Sequence, residues 1–278
     1  MTTTDRVPEG APLLAVDGLR KTYALPGGGR HTAADGITFT VPAGGSLGIV
    51  GESGSGKTTV ARMLVGLVRP DAGTVSVSGR PRAARTPRGR TARLVRAREI
   101  QIVFQDPYVS LDPRLTARRC LTTALRLHGR DEALADGLLD QVGLGPREAG
   151  ALPHGLSGGQ RQRLAIARAL AVDPRVLVLD EAVAALDVSI QAQILALLAE
   201  IRRDTGVALV FVSHDLAVVQ HITDEVLVMR RGTVVEQGPT AGVLAGPQDP
   251  YTELLLASVP RAGWDPADAV TARAAAGL

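Results

Sequence analysis

The sequence predicts an α/β protein with a mainly parallel sheet, and three patterns support this prediction. Short aliphatic runs that are typical of strands alternate with segments whose apolar residues recur at helical spacing. Residues 176–179 are aliphatic throughout, as expected of a strand that is buried on both faces. A glycine-rich loop separates the strand predicted at residues 47–50 from a helix that begins near residue 57.

The other elements follow from the same patterns. Residues 13–50 contain three apolar alternations separated by glycine and proline, which indicates strands joined by turns. The remaining predictions, in chain order, are a helix over 60–67, strands over 74–78 and 100–104, mostly helical structure over 114–171, a helix over 188–203, a strand over 208–212 and a hairpin with strands over 225–229 and 233–237.

Composition excludes several classes of protein. The single cysteine, Cys120, excludes a disulfide framework and a cysteine-based zinc site, and it fits a reducing cytosol. No apolar run approaches the roughly 20 residues of a membrane-spanning helix, and the first ten residues lack the apolar core of a signal peptide. The seven aromatic residues are too few for a surface that stacks single-stranded nucleic acid.

The basic residues are unevenly distributed. Only Lys21 and Lys57 among the 31 basic residues are lysines, and the net charge of the chain is +3. Eight arginines and no acid lie within residues 80–98. Such a run is most often a solvated surface, and the alternative is a patch that binds the phosphates of nucleic acid.

Residues 51–59 (Gly-Glu-Ser-Gly-Ser-Gly-Lys-Thr-Thr) form a P-loop in its required position between a strand and a helix. The glycines let successive N–H groups turn toward phosphate oxygens, and the helix N-terminus adds its positive end. Lys57 is expected to reach the β and γ phosphates, and Thr58 offers a hydroxyl to magnesium. The predicted nucleotide-binding residues are Gly51, Glu52, Ser53, Gly54, Ser55, Gly56, Lys57, Thr58 and Thr59.

Two carboxylates follow the aliphatic strand at residues 176–179. Asp180 is expected to bind magnesium, and Glu181 to accept a proton from the water that attacks the γ phosphate. Paired acids at a strand end often form only a solvated turn. The P-loop in the same chain favours the catalytic interpretation.

A second phosphate site is predicted at residues 156–163 (Leu-Ser-Gly-Gly-Gln-Arg-Gln-Arg), which lead into a helix. Ser157 is a candidate N-cap, and its hydroxyl and the free amides of the first helical turn attract phosphate. The cofactor-binding residues predicted here are Ser157, Gly158, Gly159 and Gln160. Two phosphate sites too far apart for one nucleotide indicate a composite site across a dimer.

The P-loop, the Leu-Ser-Gly-Gly-Gln element and the strand that ends in two acids occur in the order and spacing of an ABC-transporter ATPase, which the sequence resembles over about residues 13–260. The resemblance implies ATP hydrolysis with Mg²⁺ and a P-loop NTPase fold. That fold has a RecA-like, mainly parallel sheet, an N-terminal antiparallel β subdomain and an inserted α-helical subdomain. The implied limits are a flexible N-terminus over 1–12, an ATPase domain over 13–246 with its helical subdomain over about 106–172, an extension over 247–260 and a mobile tail over 261–278.

The resemblance implies roles for four further residues. Tyr23 matches the aromatic that stacks on adenine, although packing at a strand edge is an equal alternative from the residue alone. Gln105 matches the glutamine that meets magnesium and the attacking water, and His214 matches the histidine that contacts the γ phosphate. Asp187 matches the acid that bridges the two ATPase subunits.

Several segments resemble the branch of the family that imports peptides and nickel. These are residues 104–108 (Phe-Gln-Asp-Pro-Tyr), 110–114, 187–193 and 247–252 (Pro-Gln-Asp-Pro-Tyr-Thr). The implied solute is a dipeptide, an oligopeptide, nickel or a related small solute. The chain departs from the family at Ala182, Val183 and Ala184, where proline, threonine and serine are usual, and we expect this to loosen the segment before Asp187.

The resemblance also implies partners. They are a second ATPase subunit, identical or related, that binds head to tail, two membrane-spanning permease subunits that contact the helical region after Gln105, and an extracytoplasmic solute-binding protein. The chain would then lie at the cytoplasmic face of the membrane and bind no nucleic acid. The alternatives are a soluble ABC ATPase that acts on nucleic acid or ribosomes, and an exporter or regulatory ATPase.

Overall fold

A computed structural model describes residues 12–85 and 87–258. These residues form ten strands and ten α-helices. In chain order they are β1 (Leu14–Ala24), β2 (Arg30–Val41), β3 (Ser46–Val50), α1 (Lys57–Val65), β4 (Ala72–Val77), β5 (Arg80–Pro81), α2 (Arg90–Glu99), β6 (Ile100–Phe104), α3 (Ala117–Leu127), α4 (Leu134–Gln141), α5 (Pro146–Ala149), α6 (Gly158–Leu170), β7 (Val176–Asp180), α7 (Val188–Thr205), β8 (Ala208–Ser213), α8 (Leu216–Val219), β9 (Glu225–Arg230), β10 (Thr233–Pro239), α9 (Thr240–Ala245) and α10 (Pro250–Ala257).

The chain divides into two compact units, and unit 1 comprises residues 1–85 and 208–278. One of its sheets is antiparallel, with the strand order β2-β1-β4-β5. In its second set of strands, β3 lies between β8 and β9 and runs parallel to both, while β10 pairs antiparallel with β9. Val50 at the end of β3 lies opposite Ser213 at the end of β8, so the loops that follow these two strands begin side by side.

Unit 2 comprises residues 86–207 and combines helices with a pair of parallel strands. β6 pairs with β7, with Phe104 opposite Asp180. Helix α3 packs against α4, α5 and α6, and Leu121, Leu125 and Leu139 form part of the apolar core between these helices. Because Phe104 and Asp180 are the paired last residues of β6 and β7, the loops that follow these strands begin at one edge of the pair.

The elements confirm the predicted α/β class with an antiparallel N-terminal sheet. The aliphatic run at 176–179 is completely buried, as predicted, and the hairpin of β9 and β10 turns at Arg231 and Gly232. The segment rich in arginine includes helix α2, which has no buried residue. The predicted tail at 261–278 and all but residue 12 of the predicted flexible N-terminus lie outside the described residues, and the predicted domain limits stay predictions.

Gly48 is the point at which β3 meets the end of α8. A Cβ atom at this position would lie 2.3 Å from Cγ1 of Val219 and 3.2 Å from Oγ1 of Thr223. Because Val219 is fully buried, it has no room to move away. Strand β3 and helix α8 can approach each other this closely only because Gly48 has no side chain.

We expect Gly48→Ala to destabilise the protein by about 1–3 kcal/mol, since an extra methyl group in a filled core forces side chains to shift. The thermal unfolding midpoint measures this effect. Gly242→Ala is the matched control, because Gly242 lies in helix α9 with no atom near its added Cβ, so that change should leave the midpoint unchanged or raise it. Equal midpoints for both variants would contradict the close contact.

Candidate functional site

The loop between β3 and α1 encloses the ammonium group of Lys57. Its Nζ atom donates hydrogen bonds to the carbonyl oxygens of Gly51 at 2.7 Å and Glu52 at 2.8 Å, and the residue is only 3% exposed. A buried ammonium needs such acceptors, because it has lost its hydrating water. The ammonium group of Lys57, which is predicted to bind phosphate, thus lies at the centre of the P-loop.

Two glycines are required for the shape of this loop. Gly56 has a φ of +106°, and a Cβ atom there would lie 1.9 Å from the carbonyl oxygen of Ala33. At Gly51 the added atom would lie 2.2 Å from the carbonyl oxygen of Met229. The loop therefore follows a path that brings its backbone against β2 and β9, and a side chain at either position would block that path.

Ser55 provides the observation that tests whether the loop fits a ligand. Its Oγ atom is buried and has no hydrogen-bond partner among the described residues. A buried hydroxyl without a partner is unusual in a folded protein, because its desolvation is not compensated. Phosphate oxygens are strong acceptors, so the residues of the loop fit the triphosphate of a nucleotide.

His214 and Tyr23 also belong to unit 1. His214 is exposed and directly follows β8. Because Ser213 at the end of β8 lies opposite Val50 at the end of β3, His214 lies at the same edge of the strands as the start of the P-loop. The turn after it is fixed by Asp215, whose N–H donates to Ser213 Oγ at 2.9 Å and whose carboxylate accepts from Ala217 N–H at 2.8 Å. Tyr23 lies near the end of β1 with 38% of its surface exposed, as a stacking ring requires.

Sequence reasoning assigned no role to Lys21, and the structure supplies one. Its Nζ atom lies 5.5 Å from the centre of the Tyr23 ring and 2.9 Å from Oδ1 of Asp71. The hydrogen bond from Lys21 is the main reason why the pKa of the Asp71 carboxyl lies below its usual range. The spacing of two residues along a strand puts Lys21 and Tyr23 on one face, so the pattern could have indicated this contact.

The remaining predicted site residues lie in unit 2. Gln105 and Glu181 directly follow Phe104 and Asp180, the paired last residues of β6 and β7, so the strand pairing brings them to one edge. Asp180 is 5% exposed, whereas Gln105 is exposed. Glu181 has a φ of +50°, a left-handed conformation that costs a non-glycine residue about 1–3 kcal/mol. Strain of this kind is concentrated at functional sites.

The segment between Glu181 and Asp187 is tied down despite its departures from the family pattern. Ala182 and Val183 are buried. The side-chain amide of Gln191 donates to the carbonyl oxygens of Val183 at 3.0 Å and Leu186 at 3.1 Å. Gln191 therefore braces the segment that the substitutions were expected to loosen, a contact that sequence reasoning missed.

Ser157 caps helix α6 as predicted. Its Oγ atom accepts from the N–H of Gln160 at 3.2 Å, and Oε1 of Gln160 accepts from the N–H of Ser157 at 2.9 Å. A Cβ atom at Gly159 would lie 2.6 Å from Cγ2 of Ile190, so the helix start packs against the first turn of α7. Asp187, the exposed N-cap residue of α7, is thereby brought near Ser157, Gly158, Gly159 and Gln160.

Gln162 is a further residue that sequence reasoning missed. It is 1% exposed, and its side-chain amide donates to the carbonyl oxygen of Phe104 at 3.3 Å. This bond joins α6 to the residue that precedes Gln105. A glutamine within the buried face of a helix is the pattern that could have indicated it.

A magnesium ion would need ligands from the substrate as well as from the protein. Within residues 12–85 and 87–258, no group of three or more His, Cys, Asp or Glu side chains is arranged to hold a metal. Mg²⁺ is typically bound by one or two protein ligands together with phosphate oxygens and water, and both the hydroxyl of Thr58 and the carboxylate of Asp180 are groups of the kind that bind it. No helix in the described part of the chain is long and apolar enough to cross a membrane.

The fold and these residues define a P-loop nucleotide-binding protein. The family model described as ABC transporter matches residues 34–184. A probable peptide ABC transporter ATP-binding protein, y4tS of Sinorhizobium fredii, is 48% identical over 89% of this chain and 72% of its own length. The chain belongs to the ABC transporter family.

Further comparisons agree with that assignment. The glutathione import ATP-binding protein GsiA of Salmonella choleraesuis is 45% identical over 92% of this chain, which spans only 42% of the length of GsiA. The dimeric post-hydrolysis structure of the ATP-binding cassette MJ0796 with ADP and Pi has a TM-score of 0.72 at 28% identity, over 82% of this chain and 98% of its own. CbiO1 of Clostridium perfringens, part of the transporter complex cbiONQ, has a TM-score of 0.72 at 29% identity, over 91% and 97%.

These relatives confirm the predicted role of the chain as an ATP-hydrolysing subunit of a transporter and its resemblance to the peptide importer branch. The roles of the individual site residues stay predictions.

We expect Tyr23→Ala to weaken ATP binding about tenfold, because the stacking of a base on an aromatic ring contributes about 1–3 kcal/mol. Tyr23→Phe retains the ring and its contact with Lys21, so its Kd should stay within about twofold of the wild-type value. Calorimetric titration of the full chain with ATP measures both. Equal losses for the two variants would assign the effect to the hydroxyl and contradict stacking.

Proposed function

We propose that the chain powers the import of short peptides through a membrane-spanning partner. The observation that carries this proposal is the identity of 48%, over 89% of the chain, to a probable peptide ABC transporter ATP-binding protein. The similarity to a glutathione import protein supports the same solute class, since glutathione is itself a tripeptide. Nickel and the alternatives of an exporter or a nucleic-acid ATPase have no comparable support.

The proposed nucleotide-binding residues have the roles that the resemblance to ABC-transporter ATPases implies for each of them. The N–H groups of residues 51–59 and the ammonium of Lys57 would hold the β and γ phosphates, and Tyr23 would stack on adenine. Thr58, Asp180 and Gln105 would hold Mg²⁺, directly or through water. Bound there, the ion would neutralise charge on the phosphate oxygens during hydrolysis.

Glu181 is the proposed general base. A carboxylate held at a strand end can accept a proton from a water molecule that lies between it and the γ phosphate. His214 would donate a hydrogen bond to that phosphate, and Gln105 would orient the attacking water. The left-handed backbone at Glu181 supports this role, because backbone strain of this kind is concentrated at functional sites.

A second ATPase subunit is the proposed partner in catalysis. Ser157, Gly158, Gly159 and Gln160 would bind the γ phosphate of a nucleotide held by the P-loop of the other subunit, and Asp187 would contact that subunit. The exposed Ser157 cap, the helix N-terminus behind it and the adjacent first turn of α7 support this arrangement. The solved relative MJ0796 is itself described as dimeric.

We propose that the permease contacts unit 2 at a pocket of about 400 Å³ beside helix α3. Arg168 lines this pocket, and its guanidinium makes no hydrogen bond or ion pair with any residue that the structure describes. Burial lowers the pKa of this guanidinium. The neighbouring Nδ1 of His128 is also buried without a partner among the described residues.

An acidic side chain from a cytoplasmic loop of the permease suits this pocket. A carboxylate would pair with Arg168 and supply the negative charge that would balance its guanidinium. The one acid that lines the pocket, Asp112, is already paired with the guanidinium of Arg114, whose Nε and Nη2 atoms each donate to its carboxylate at 3.1 Å. The chain would then lie at the cytoplasmic face of the membrane, where ATP is supplied, and an extracytoplasmic protein would deliver the solute.

We expect the complete transporter, reconstituted in lipid vesicles with ATP, to accumulate a radiolabelled short peptide, and Glu181→Gln to abolish this accumulation. Loss of the base should slow ATP hydrolysis about 100-fold or more while ATP binding persists. The variant should therefore remain as a closed, ATP-bound dimer in size-exclusion chromatography. Hydrolysis at the wild-type rate would exclude Glu181 as the base, and wild-type transport of nickel but not of peptide would overturn the proposed solute.

We expect Arg168→Met to reduce the amount of permease that copurifies with the chain, since it removes the charge but keeps the unbranched bulk. Arg119→Met is the matched control, because Arg119 is an exposed arginine on α3 outside the pocket. Quantitative copurification from detergent-solubilised membranes measures the contact. Undiminished recovery with Arg168→Met would place the permease elsewhere.

A further inference from the structure

The segment at residues 247–252 marks the importer branch in the sequence, and nothing so far assigns it a role. In the structure it leads into helix α10, and its tyrosine reaches the P-loop of the same unit. The hydroxyl of Tyr251 accepts a hydrogen bond from the N–H of Glu52 at 2.8 Å. Among the described residues, this hydroxyl is the acceptor for the N–H of Glu52.

The bonded N–H belongs to a peptide group that is held at both ends. The carbonyl oxygen of Gly51 and the N–H of Glu52 lie on one planar peptide unit. Its oxygen accepts from Nζ of Lys57 at 2.7 Å, and its N–H donates to Tyr251. The orientation of the first peptide of the P-loop thus depends on one residue that binds phosphate and one that lies 199 positions further along the chain.

Tyr251 is itself firmly placed. It is 1% exposed, and the guanidinium of Arg230 lies 5.1 Å from the centre of its ring. The carboxylate of Asp249 caps the helix by accepting from the N–H of Tyr251 at 2.8 Å. The carboxylate of Glu236 accepts from the N–H groups of Gln248 at 2.9 Å and Asp249 at 3.2 Å. Burial also raises the pKa of the phenol, which keeps it protonated.

The bond from Tyr251 becomes more important when a nucleotide binds. A lysine ammonium has three donors, and two of those of Lys57 are directed at loop carbonyls in this structure. Contacts to both the β and γ phosphates would turn Lys57 away from at least one of these carbonyls. The hydroxyl of Tyr251 then remains to keep the peptide of Gly51 and Glu52 in place.

We propose that Tyr251 is a positioning residue for the P-loop, through which the segment at 247–252 raises nucleotide affinity without touching the nucleotide. The inference rests on ATP binding at this loop. It requires neither a particular solute nor a particular permease. Since the bond holds the loop more in the bound than in the free protein, its loss lowers affinity rather than stability.

Tyr251→Phe in the full chain tests this proposal, because it removes one hydroxyl and keeps the buried ring. We expect the Kd for ATP with Mg²⁺, measured by calorimetric titration, to rise about threefold to tenfold. The thermal midpoint without nucleotide should change little. Hydrogen exchange of the backbone amide of Glu52, measured with ATP bound, should become faster.

Thr252→Val is the matched control. Thr252 is the next residue of the same helix, is fully buried, and its Oγ1 has no hydrogen-bond partner among the described residues. Removal of this hydroxyl should leave both the Kd for ATP and the exchange of Glu52 unchanged. An effect equal to that of Tyr251→Phe would show a general response to changes in α10 and overturn the proposal.

Two other results would also overturn it. An unchanged Kd together with a lower thermal midpoint for Tyr251→Phe would make the bond purely structural. An unchanged exchange rate at Glu52 would show that the hydroxyl does not hold this amide. Failure of the transporter to import peptides would leave these measurements untouched, because they depend on ATP binding alone.

Discussion

The burial of the Lys57 ammonium inside its own loop is the interaction on which the rest of the site depends. A charge that is 3% exposed is tolerable only where oxygen atoms replace its water, and the loop carbonyls of Gly51 and Glu52 do so at 2.7 Å and 2.8 Å. These carbonyls can face inward only if the loop is tightly curled. The curl brings its backbone against neighbouring strands, which is why Gly51 and Gly56 must be glycine.

The curled loop is held from outside by distant parts of unit 1. Tyr251 accepts from the N–H of Glu52, and the N–H of Gly232 in the hairpin turn donates to the carbonyl oxygen of Ser55 at 2.9 Å. The hairpin of β9 and β10 and helix α10 therefore hold the loop through backbone groups other than the two carbonyls that accept from Lys57. Preorganisation of this kind reduces the entropy that a ligand must lose on binding.

The sequence predicted the parts of the site that are continuous motifs. The P-loop, the helix cap at Ser157 and the acids after β7 each depend on local backbone geometry, so residue type and spacing are sufficient to identify them. The contacts that it did not predict join residues far apart in the chain. Lys21 with Asp71 and Tyr251 with Glu52 are separated by 50 and 199 positions, and only the folded chain brings them together. The role of Gln191 was not predicted either. The residues at 182–184, taken alone, indicate a looser segment, and only the structure shows that Gln191 holds it.

The two lysines of this arginine-rich chain show why residue type matters at these contacts. Arginine occupies 29 of the 31 basic positions, yet both lysines lie where the charge must be compact. At Lys57 the ammonium fits between two carbonyls of one tight turn, where a planar guanidinium with a fixed fork of donors would not fit. At Lys21 a single Nζ atom serves the Asp71 carboxylate and the face of the Tyr23 ring together. The first lysine is predicted to bind the phosphates and the second supports the proposed adenine-stacking ring, so the general preference for arginine ends where the nucleotide is proposed to bind.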